Sequence, residues 1–207
     1  GKSYEGNQLL LAYVSSPENM GKLEQIRTDN LRRTGQLQGS PTMNVGIVWL
    51  SYNVHGNEAN STEAAMLTIY KLITEKQDWL TNTLVIMDPC INPDGRERYV
   101  NFYDQLGQVP FNPDPQAAEH NEPWPGGRYN HYLFDLNRDW LTLVHPESRA
   151  RIREYQRWLP HVLTDHHETW HDGFFFQPGA PTRQHPLTTA ENLEMTRALA
   201  PYHAGSL

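Results

Sequence analysis

Residues 45–72, VGIVWLSYNVHGNEANSTEAAMLTIYKL, constrain the fold more than any other part of the chain. Residues 45–52 form a short apolar run rich in β-branched and aromatic side chains, which predicts a buried strand. Residues 60–72 have apolar side chains at helical spacing behind a serine and a threonine, which predicts a helix. His55 and Glu58 lie between the two, where the strand gives way to the helix. Because ligands bind at the carboxyl ends of strands in open α/β sheets, a histidine and a carboxylate here indicate the beginning of a metal site.

The rest of the chain repeats this alternation of apolar runs and helical patterns. Strands that alternate with helices predict an α/β fold with a mainly parallel or mixed central sheet and helices on both faces. Residues 92–95, Asn-Pro-Asp-Gly, predict a tight turn, and the proline- and glycine-rich residues 104–131 predict a long surface loop. The predicted strands are 8–15, 45–52, 84–90 and 161–165, with a fifth short one at 174–176, and the predicted helices are 16–33, 60–72, 146–158 and 188–203.

A chain of 207 residues suits a single domain with a sizeable core. Its net charge of −7 and pI near 5.8 argue against nucleic acid and anionic membranes as partners. No apolar stretch approaches the length of a membrane span. Its single cysteine, Cys90, excludes an internal disulfide and is interpreted as a small buried hydrophobic residue. The compartment and the oligomeric state stay open, with a periplasmic or secreted location favoured over the cytoplasm.

A catalytic zinc site takes three protein ligands and keeps one position for water. His55 and Glu58 supply two, and the sequence DHHETWH at 165–171 offers a third directly after a predicted strand. Residues 167–171 also match HExxH, a zinc motif that needs a helix to bring its two histidines to one face. The strand before this motif and the Asp-Gly pair after it argue against such a helix. A zincin-type endopeptidase that uses HETWH stays an alternative.

Five motifs in order along the chain resemble those of the zinc carboxypeptidase family, the carboxypeptidase A-like funnelins. GKSYEG at 1–6 is similar to the family's G-x-S-x-E-G opening, HGNE at 55–58 matches HxxE, and NPDG at 92–95 matches a family turn. GRYNHYLFDLNRDW at 127–140 resembles the family's G-R-x-N…D-x-N-R block. DHHETW at 165–170 resembles a bacterial branch that carries D-x-H-E at the third ligand. The resemblance spans nearly the whole chain.

This resemblance implies a zinc-dependent metallocarboxypeptidase that hydrolyses the C-terminal peptide bond of peptides by means of a zinc-activated water. It implies one zinc ion, held by His55, Glu58 and His167. His167 fits better than His166, because the family pattern has one residue between its acidic residue and the ligand. Period-two geometry agrees, since Asp165 and His167 would face one side of a strand and His166 the other.

The same resemblance assigns roles to residues around the metal. Asp135 is expected to accept the free ring N–H of the first histidine ligand, and Asp165 to support the third ligand. Arg128 should polarise the scissile carbonyl and stabilise the oxyanion. Asn137 and Arg138 should hold the terminal carboxylate of the substrate, which a guanidinium can bind with two parallel hydrogen bonds. A surface ion pair is the alternative for either arginine.

Two departures from the family pattern bear on the function. Asn7 stands where the family usually has an arginine, and no glutamate matches the position of the family's general base. Only 40 residues follow His167, and Glu191 and Glu194 do not match that position. The whole chain, 1–207, is therefore expected to form one catalytic domain that is incomplete at its C-terminus, with the base and a substrate-capping tyrosine further downstream. The alternatives are a fragment that binds zinc and peptide without turnover, and an amidohydrolase on the same fold.

Overall fold

The computed structural model of the protein describes residues 1–168 and 185–205. Residues 1–167 form one compact unit, and the remaining described residues belong to a second unit. The short strand predicted at 174–176 lies outside the described residues. Within the two described ranges, no helix is both long enough and apolar enough to cross a membrane.

The first unit is built on a mixed four-stranded sheet, whose strands are β1 (Ala12–Val14), β2 (Gly46–Tyr52), β3 (Thr83–Asp88) and β4 (Val162–His166). Their order across the sheet is β1-β3-β2-β4. The central strand β2 pairs in parallel with β3 on one side and with β4 on the other, and β1 is antiparallel to β3. The predicted α/β fold with a mixed sheet is confirmed.

Helices connect the strands of this unit, and three of them begin with a proline at their first position, where a missing N–H costs no hydrogen bond. The α-helices are α1 (Pro17–Met20), α2 (Leu23–Arg33), α3 (Ala59–Thr74), α4 (Pro93–Leu106) and α5 (Pro146–Trp158), with short 3-10 helices at Gln77–Thr81, Ala118–His120 and Leu136–Arg138.

Apolar side chains cover both faces of the sheet, because alternate residues of each strand point to opposite sides. On one face the sheet packs against α3, and on the other it packs against α2 and α5. The first cluster contains Val14, Tyr52, Ala65, Leu72, Leu80, Val85 and Met87, and the second contains Ile26, Val45, Ile47, Trp49, Leu84, Ile86 and Trp158. Helices on both faces are therefore confirmed as well.

The helix predicted over 16–33 is wrong in one respect, because the structure has two helices there, α1 and α2. The buried side chain of Asn19, near the end of α1, donates hydrogen bonds to the carbonyl oxygens of Leu80 and Thr81 at 3.1 and 3.0 Å. This tertiary contact holds the chain at the break between the two helices, and no local pattern reveals it.

The isolated turn predicted at 92–95 is also wrong, because these residues form the start of α4. The side chain of Asn92 accepts a hydrogen bond from the backbone N–H of Gly95 at 3.0 Å and so caps the helix, with Pro93 at its first position. Asparagine followed by proline is favoured at helix starts as well as in turns. Helix α4 also includes residues 104–106, which are the first three residues of the loop predicted at 104–131.

Two glycines allow two loops and the start of α4 to meet backbone to backbone beside the end of β2. A Cβ atom at Gly56 would lie 2.2 Å from the backbone nitrogen of Arg96, and one at Gly95 would lie 2.3 Å from the carbonyl oxygen of Gly127. No other residue fits at either position without displacing backbone, because real Cβ atoms do not approach so closely. This packing fixes the loop that carries His55.

The second unit contains one described helix, α6 (Ala190–Ala204), which agrees with the helix predicted at 188–203. Thr189 caps this helix, since its side chain accepts a hydrogen bond from the backbone N–H of Asn192 at 3.3 Å.

Candidate metal centre

His55, Glu58 and His167 come together at the carboxyl ends of β2 and β4. One possible ligand atom from each lies within 4.8 Å of the other two. Nδ1 of His55 is 2.7 Å from Oε1 of Glu58. Nδ1 of His167 is 3.1 Å from Oε2 of Glu58 and 3.3 Å from Nδ1 of His55. His55 and Glu58 are buried, whereas the side chain of His167 is 28% exposed, so the cluster is open to solvent on the His167 side.

The loop after β2 is shaped by Asn53, which the sequence analysis did not single out. Its backbone is left-handed, with φ of 58°, a conformation that asparagine tolerates better than most residues. Its buried side chain donates to the carbonyl oxygens of His55 and Glu58 at 3.1 and 3.0 Å, and its Oδ1 accepts from the thiol of Cys90 at 3.2 Å. Asn53 therefore fixes the distance between the two neighbouring candidate ligands.

Each histidine presents Nδ1 to the centre of the cluster and uses Nε2 to bind a carboxylate. Nε2–H of His55 donates to Oδ1 of Asp135 at 3.0 Å, and Nε2–H of His167 donates to Oδ2 of Asp165 at 3.0 Å. An ionised carboxylate can only accept, so Nε2 carries the proton in both rings. A metal ion held between the two rings would take the place of the proton at Nδ1, with Nε2 bound to a carboxylate as is usual for a metal-binding histidine.

The pKa shifts within the cluster favour a positive charge at its centre. Burial acts to raise the pKa of Glu58, but hydrogen bonds from His167 and His55 outweigh it and lower that pKa to about 2. Hydrogen bonds to Asp165 and Glu58 raise the pKa of His167 to about 9 against the effect of burial. Glu58 is therefore ionised and His167 is protonated at neutral pH, so a metal ion bound here would replace the proton that His167 shares with Glu58.

Arg128 lies at the edge of the same cluster. Its Nη2 donates to Oδ2 of Asp135 at 3.0 Å, while its Nη1 is 3.4 Å from Nδ1 of His55 and 4.0 Å from Oε1 of Glu58. Its side chain is 37% exposed. Asp135 thus contacts both a candidate ligand and this guanidinium, and it orients the two relative to each other.

Asn137 and Arg138 follow Asp135 in the short 3-10 helix Leu136–Arg138. Asp135 caps this helix by accepting from the backbone N–H of Asn137 at 2.9 Å. The side-chain oxygen of Asn137 accepts from the indole N–H of Trp140 at 3.1 Å. Arg138 is exposed, and within residues 1–168 no hydrogen bond or ion pair joins it to the three candidate ligands.

The two adjacent histidines at the end of β4 have different surroundings. His167 joins the cluster, whereas the ring of His166 stacks on Tyr52 at a centroid distance of 4.2 Å, with its Nδ1 3.0 Å from the carbonyl oxygen of Ser51. The remaining residues of the HExxH alternative after Glu168 lie outside the described part of the chain, including His171.

The opening GKSYEG segment is tied to the start of α4 through Asp94. This carboxylate, which is 1% exposed, accepts hydrogen bonds from the hydroxyl of Ser3, the backbone N–H of Glu5 and the side-chain amide of Asn7. Asn7 thus has a structural partner at the position where the resemblance leads one to expect an arginine. No local pattern in the sequence connects the two motifs, because Asp94 is 91 positions from Ser3.

Two imidazole nitrogens and one carboxylate oxygen are a donor set that zinc accepts in sites with an open position for water. The residues fit the ion, because carboxylates orient both rings, Glu58 stays ionised and one side of the cluster is exposed. An α/β sheet that carries such a cluster at its strand ends is typical of a metal-dependent hydrolase.

Comparison with known proteins defines the family. The family model described as zinc carboxypeptidase matches residues 1–165, and the chain belongs to this family. Carboxypeptidase 2 of Trichophyton tonsurans is 28% identical over 171 residues, which cover 81% of this chain and 23% of that protein. Carboxypeptidase 2 of Trichophyton rubrum is 31% identical over 125 residues, which cover 58% of this chain and 18% of that protein. The crystal structure of carboxypeptidase A from Helicoverpa armigera matches with a TM-score of 0.51 and 20% identity, over 82% of this chain and 40% of that one.

The match to the insect enzyme shows the fold and confirms the predicted carboxypeptidase-like α/β architecture. The chain spans less than a quarter of the length of the two fungal relatives and less than half of the insect structure.

Proposed function

We propose that this chain carries the metal site and part of the substrate site of a zinc-dependent carboxypeptidase. The principal support is the meeting of His55, Glu58 and His167, which come from two strand ends although Glu58 and His167 are 109 positions apart. A zinc ion bound there would lower the pKa of water from about 15.7 to about 7 and would polarise a peptide carbonyl. Membership of the zinc carboxypeptidase family supports the same proposal.

Arg128 is proposed to stabilise the negative charge that develops on the carbonyl oxygen during peptide hydrolysis. Its guanidinium lies beside the ligand cluster and is partly exposed, so it can contact a substrate from the open side. The hydrogen bond to Asp135 fixes its direction before the substrate arrives. Such preorganised donors contribute strongly to catalysis because they need not reorganise during the reaction.

Asn137 and Arg138 are proposed to bind the terminal carboxylate of a peptide. They lie within three residues of Asp135, on a short helix that Asp135 itself caps, so their backbone is fixed relative to the cluster. Arg138 is exposed and its guanidinium can form two parallel hydrogen bonds to a carboxylate. Recognition of that carboxylate would restrict cleavage to the last peptide bond.

The metal site is tested by measuring bound zinc after dialysis of the purified 207-residue chain. We expect one zinc per chain in the wild type, and less than a tenth of that in the His55→Ala and His167→Ala variants. His166→Ala is the matched control, because the same substitution is made one residue away at a ring that does not join the cluster. Retention of zinc in both His55→Ala and His167→Ala would refute the proposal. The HExxH alternative predicts that His171→Ala loses zinc and His55→Ala does not.

The substrate site is tested with a pair of peptides that differ only in a free or an amidated C-terminus. We expect the zinc-loaded chain to bind the free acid at least tenfold more tightly, and Arg138→Met to remove that preference. Arg153→Met, at an exposed position of α5, should leave the preference intact. Equal affinity for the two peptides would contradict the carboxylate site. Hydrolysis of the free acid in the same sample would exclude the alternative of binding without turnover.

A further inference from the structure

A row of polar side chains crosses three strands of the sheet next to the metal cluster. Ser51 on β2 pairs in register with Asp88 on β3 and with Asp165 on β4. Because residues in register on neighbouring strands point to the same face, the three side chains lie side by side. Ser51 and Asp88 are buried, with exposed fractions of 0% and 6%.

This polar row lies on the face of the sheet that α2 and α5 cover. In β2, Trp49 precedes Ser51 by two residues and packs in the same cluster as Trp158 of α5. Arg151 lies two turns before Trp158, on the same side of α5. The topology therefore places Arg151 over the end of the sheet where the polar row lies.

Arg151 is a buried cation that packs against an aromatic ring. It is 4% exposed, and its guanidinium carbon lies 3.6 Å from the ring centroid of Trp140. Its Nε, Nη1 and Nη2 atoms form no hydrogen bond with any residue in the described part of the chain, and the same is true of Oδ1 of Asp165. Arg151 and Asp88 also line a cavity of about 310 Å³, which is large enough to hold water molecules.

The charges of Arg151 and the polar row act on each other through space. Burial lowers the pKa of Arg151, and Asp88, Asp165 and Asp139 oppose that effect. Burial raises the pKa of Asp88 to about 7, opposed by Arg151 and reinforced by Asp165. Charges interact more strongly in a protein interior than in water, so the Arg151 cation attracts both carboxylates.

We propose that Arg151 is a positioning residue for the third metal ligand. Its guanidinium offsets the charges of Asp88 and Asp165, and so holds Asp165 at the place where its Oδ2 accepts the Nε2–H of His167. The inference rests on the proposed metal site and extends it from the His167–Asp165 hydrogen bond to a charge on α5 that acts on Asp165 through space. Loss of the cation leaves the carboxylates of buried Asp88 and partly exposed Asp165 on one face without that positive charge, and Asp165 then turns toward solvent and releases the ring.

The first test compares zinc dissociation constants, measured by competition with a chromophoric chelator. Arg151→Met removes the charge and keeps an unbranched side chain, and we expect it to weaken zinc binding about tenfold, at the lower end of the roughly 10–100-fold effects of residues that support metal ligands. Arg151→Lys should recover most of the loss. Arg153→Met is the matched control, because it removes a charge from an exposed position of the same helix and should leave affinity unchanged. Wild-type affinity in Arg151→Met overturns the inference while leaving the metal site intact, whereas absence of zinc from the wild type overturns both.

A double-mutant cycle separates positioning from a general structural effect. If Arg151 acts through Asp165, Arg151→Met should weaken zinc binding less than twofold when Asp165→Asn is already present. Equal losses in the two backgrounds would mean that Arg151 acts on the site by another route, and would overturn the inference.

A second comparison applies if Arg151→Met folds poorly. Adding Asp88→Asn removes one of the two facing carboxylates, so the double variant should regain a higher melting temperature than Arg151→Met. Failure of Asp88→Asn to raise the melting temperature would show that the charges of the polar row are not what Arg151 offsets.

Discussion

Replacing Asp94 with alanine should destabilise the fold by an amount that can be worked out from its partners. The carboxylate is buried and accepts from the hydroxyl of Ser3, the backbone N–H of Glu5 and the amide of Asn7, the last two at 3.2 and 3.0 Å. Ser3 is buried, and although its oxygen still accepts from the backbone N–H of Asn7 at 3.1 Å, its O–H would lose its acceptor, which should cost about 1–3 kcal/mol. Glu5 and Asn7 can turn to water, and each lost bond should cost about 0.5–1.5 kcal/mol. We therefore expect Asp94→Ala to lower the free energy of unfolding by roughly 2–6 kcal/mol.

Asp94→Asn should lower the free energy of unfolding by less, about 1–3 kcal/mol. The amide oxygen can still accept one of the hydrogen bonds, but the amide NH₂ group would face another of the donors that Asp94 binds. Both variants are measured by urea unfolding followed by tryptophan fluorescence, with the free energy extrapolated linearly to water. Asp104→Ala is the control, since it makes the same substitution at an exposed position of α4. A loss below about 0.5 kcal/mol in Asp94→Ala, the range of ordinary surface substitutions, would refute the argument that Asp94 ties the opening segment to α4.

Three further predictions concern the surroundings of the site. Asp135→Asn should weaken zinc binding about 10–100-fold in the chelator assay, because the amide no longer accepts from both His55 and Arg128; unchanged affinity would contradict the contacts described above. Gly95→Ala should destabilise the fold by at least about 1 kcal/mol in urea unfolding, since its Cβ would meet the backbone oxygen of Gly127 at 2.3 Å, and a neutral effect would mean that the loop around Gly127 moves easily away from α4. Burial acts to raise the pKa of Asp139, but hydrogen bonds from Thr142 and from backbone N–H groups lower it to about 2. Its contribution to stability should therefore be complete above about pH 4 and lost as pH falls toward 2, and Asp139→Asn should flatten the unfolding free energy over that window.

The strand, loop and helix around His55 could be predicted from the sequence, because they depend on local patterns. A run of β-branched residues and a helical repeat of apolar residues can each be recognised within a short stretch of sequence. The carboxyl ends of parallel strands then bring ligands to one edge of the sheet. The sequence predicts a turn where α4 begins, because Asn92 and Pro93 are favoured both in turns and at helix starts. Only the residues that follow them distinguish the two structures.

The contacts of Asp94 and Arg151 could not be predicted in the same way, since both depend on tertiary structure. Ser3 and Asp94 are 91 positions apart, and their hydrogen bond exists only once the opening segment lies against α4. Arg151 reads as an ordinary polar position of an amphipathic helix until the register of three strands places two aspartates on the face it covers. Pairing register is set by the whole sheet and leaves no local signature.

The long separation between Glu58 and His167 has a consequence for the order in which the chain folds. Joining β2 to β4 closes a loop of more than a hundred residues, and the entropy lost on closing a loop grows with its length. Contacts between such distant segments are characteristic of slow steps in folding. During synthesis, His55 and Glu58 emerge before His167, which reaches them only when β4 docks on β2. Capture of a metal by all three side chains would therefore mark chains whose sheet is already assembled.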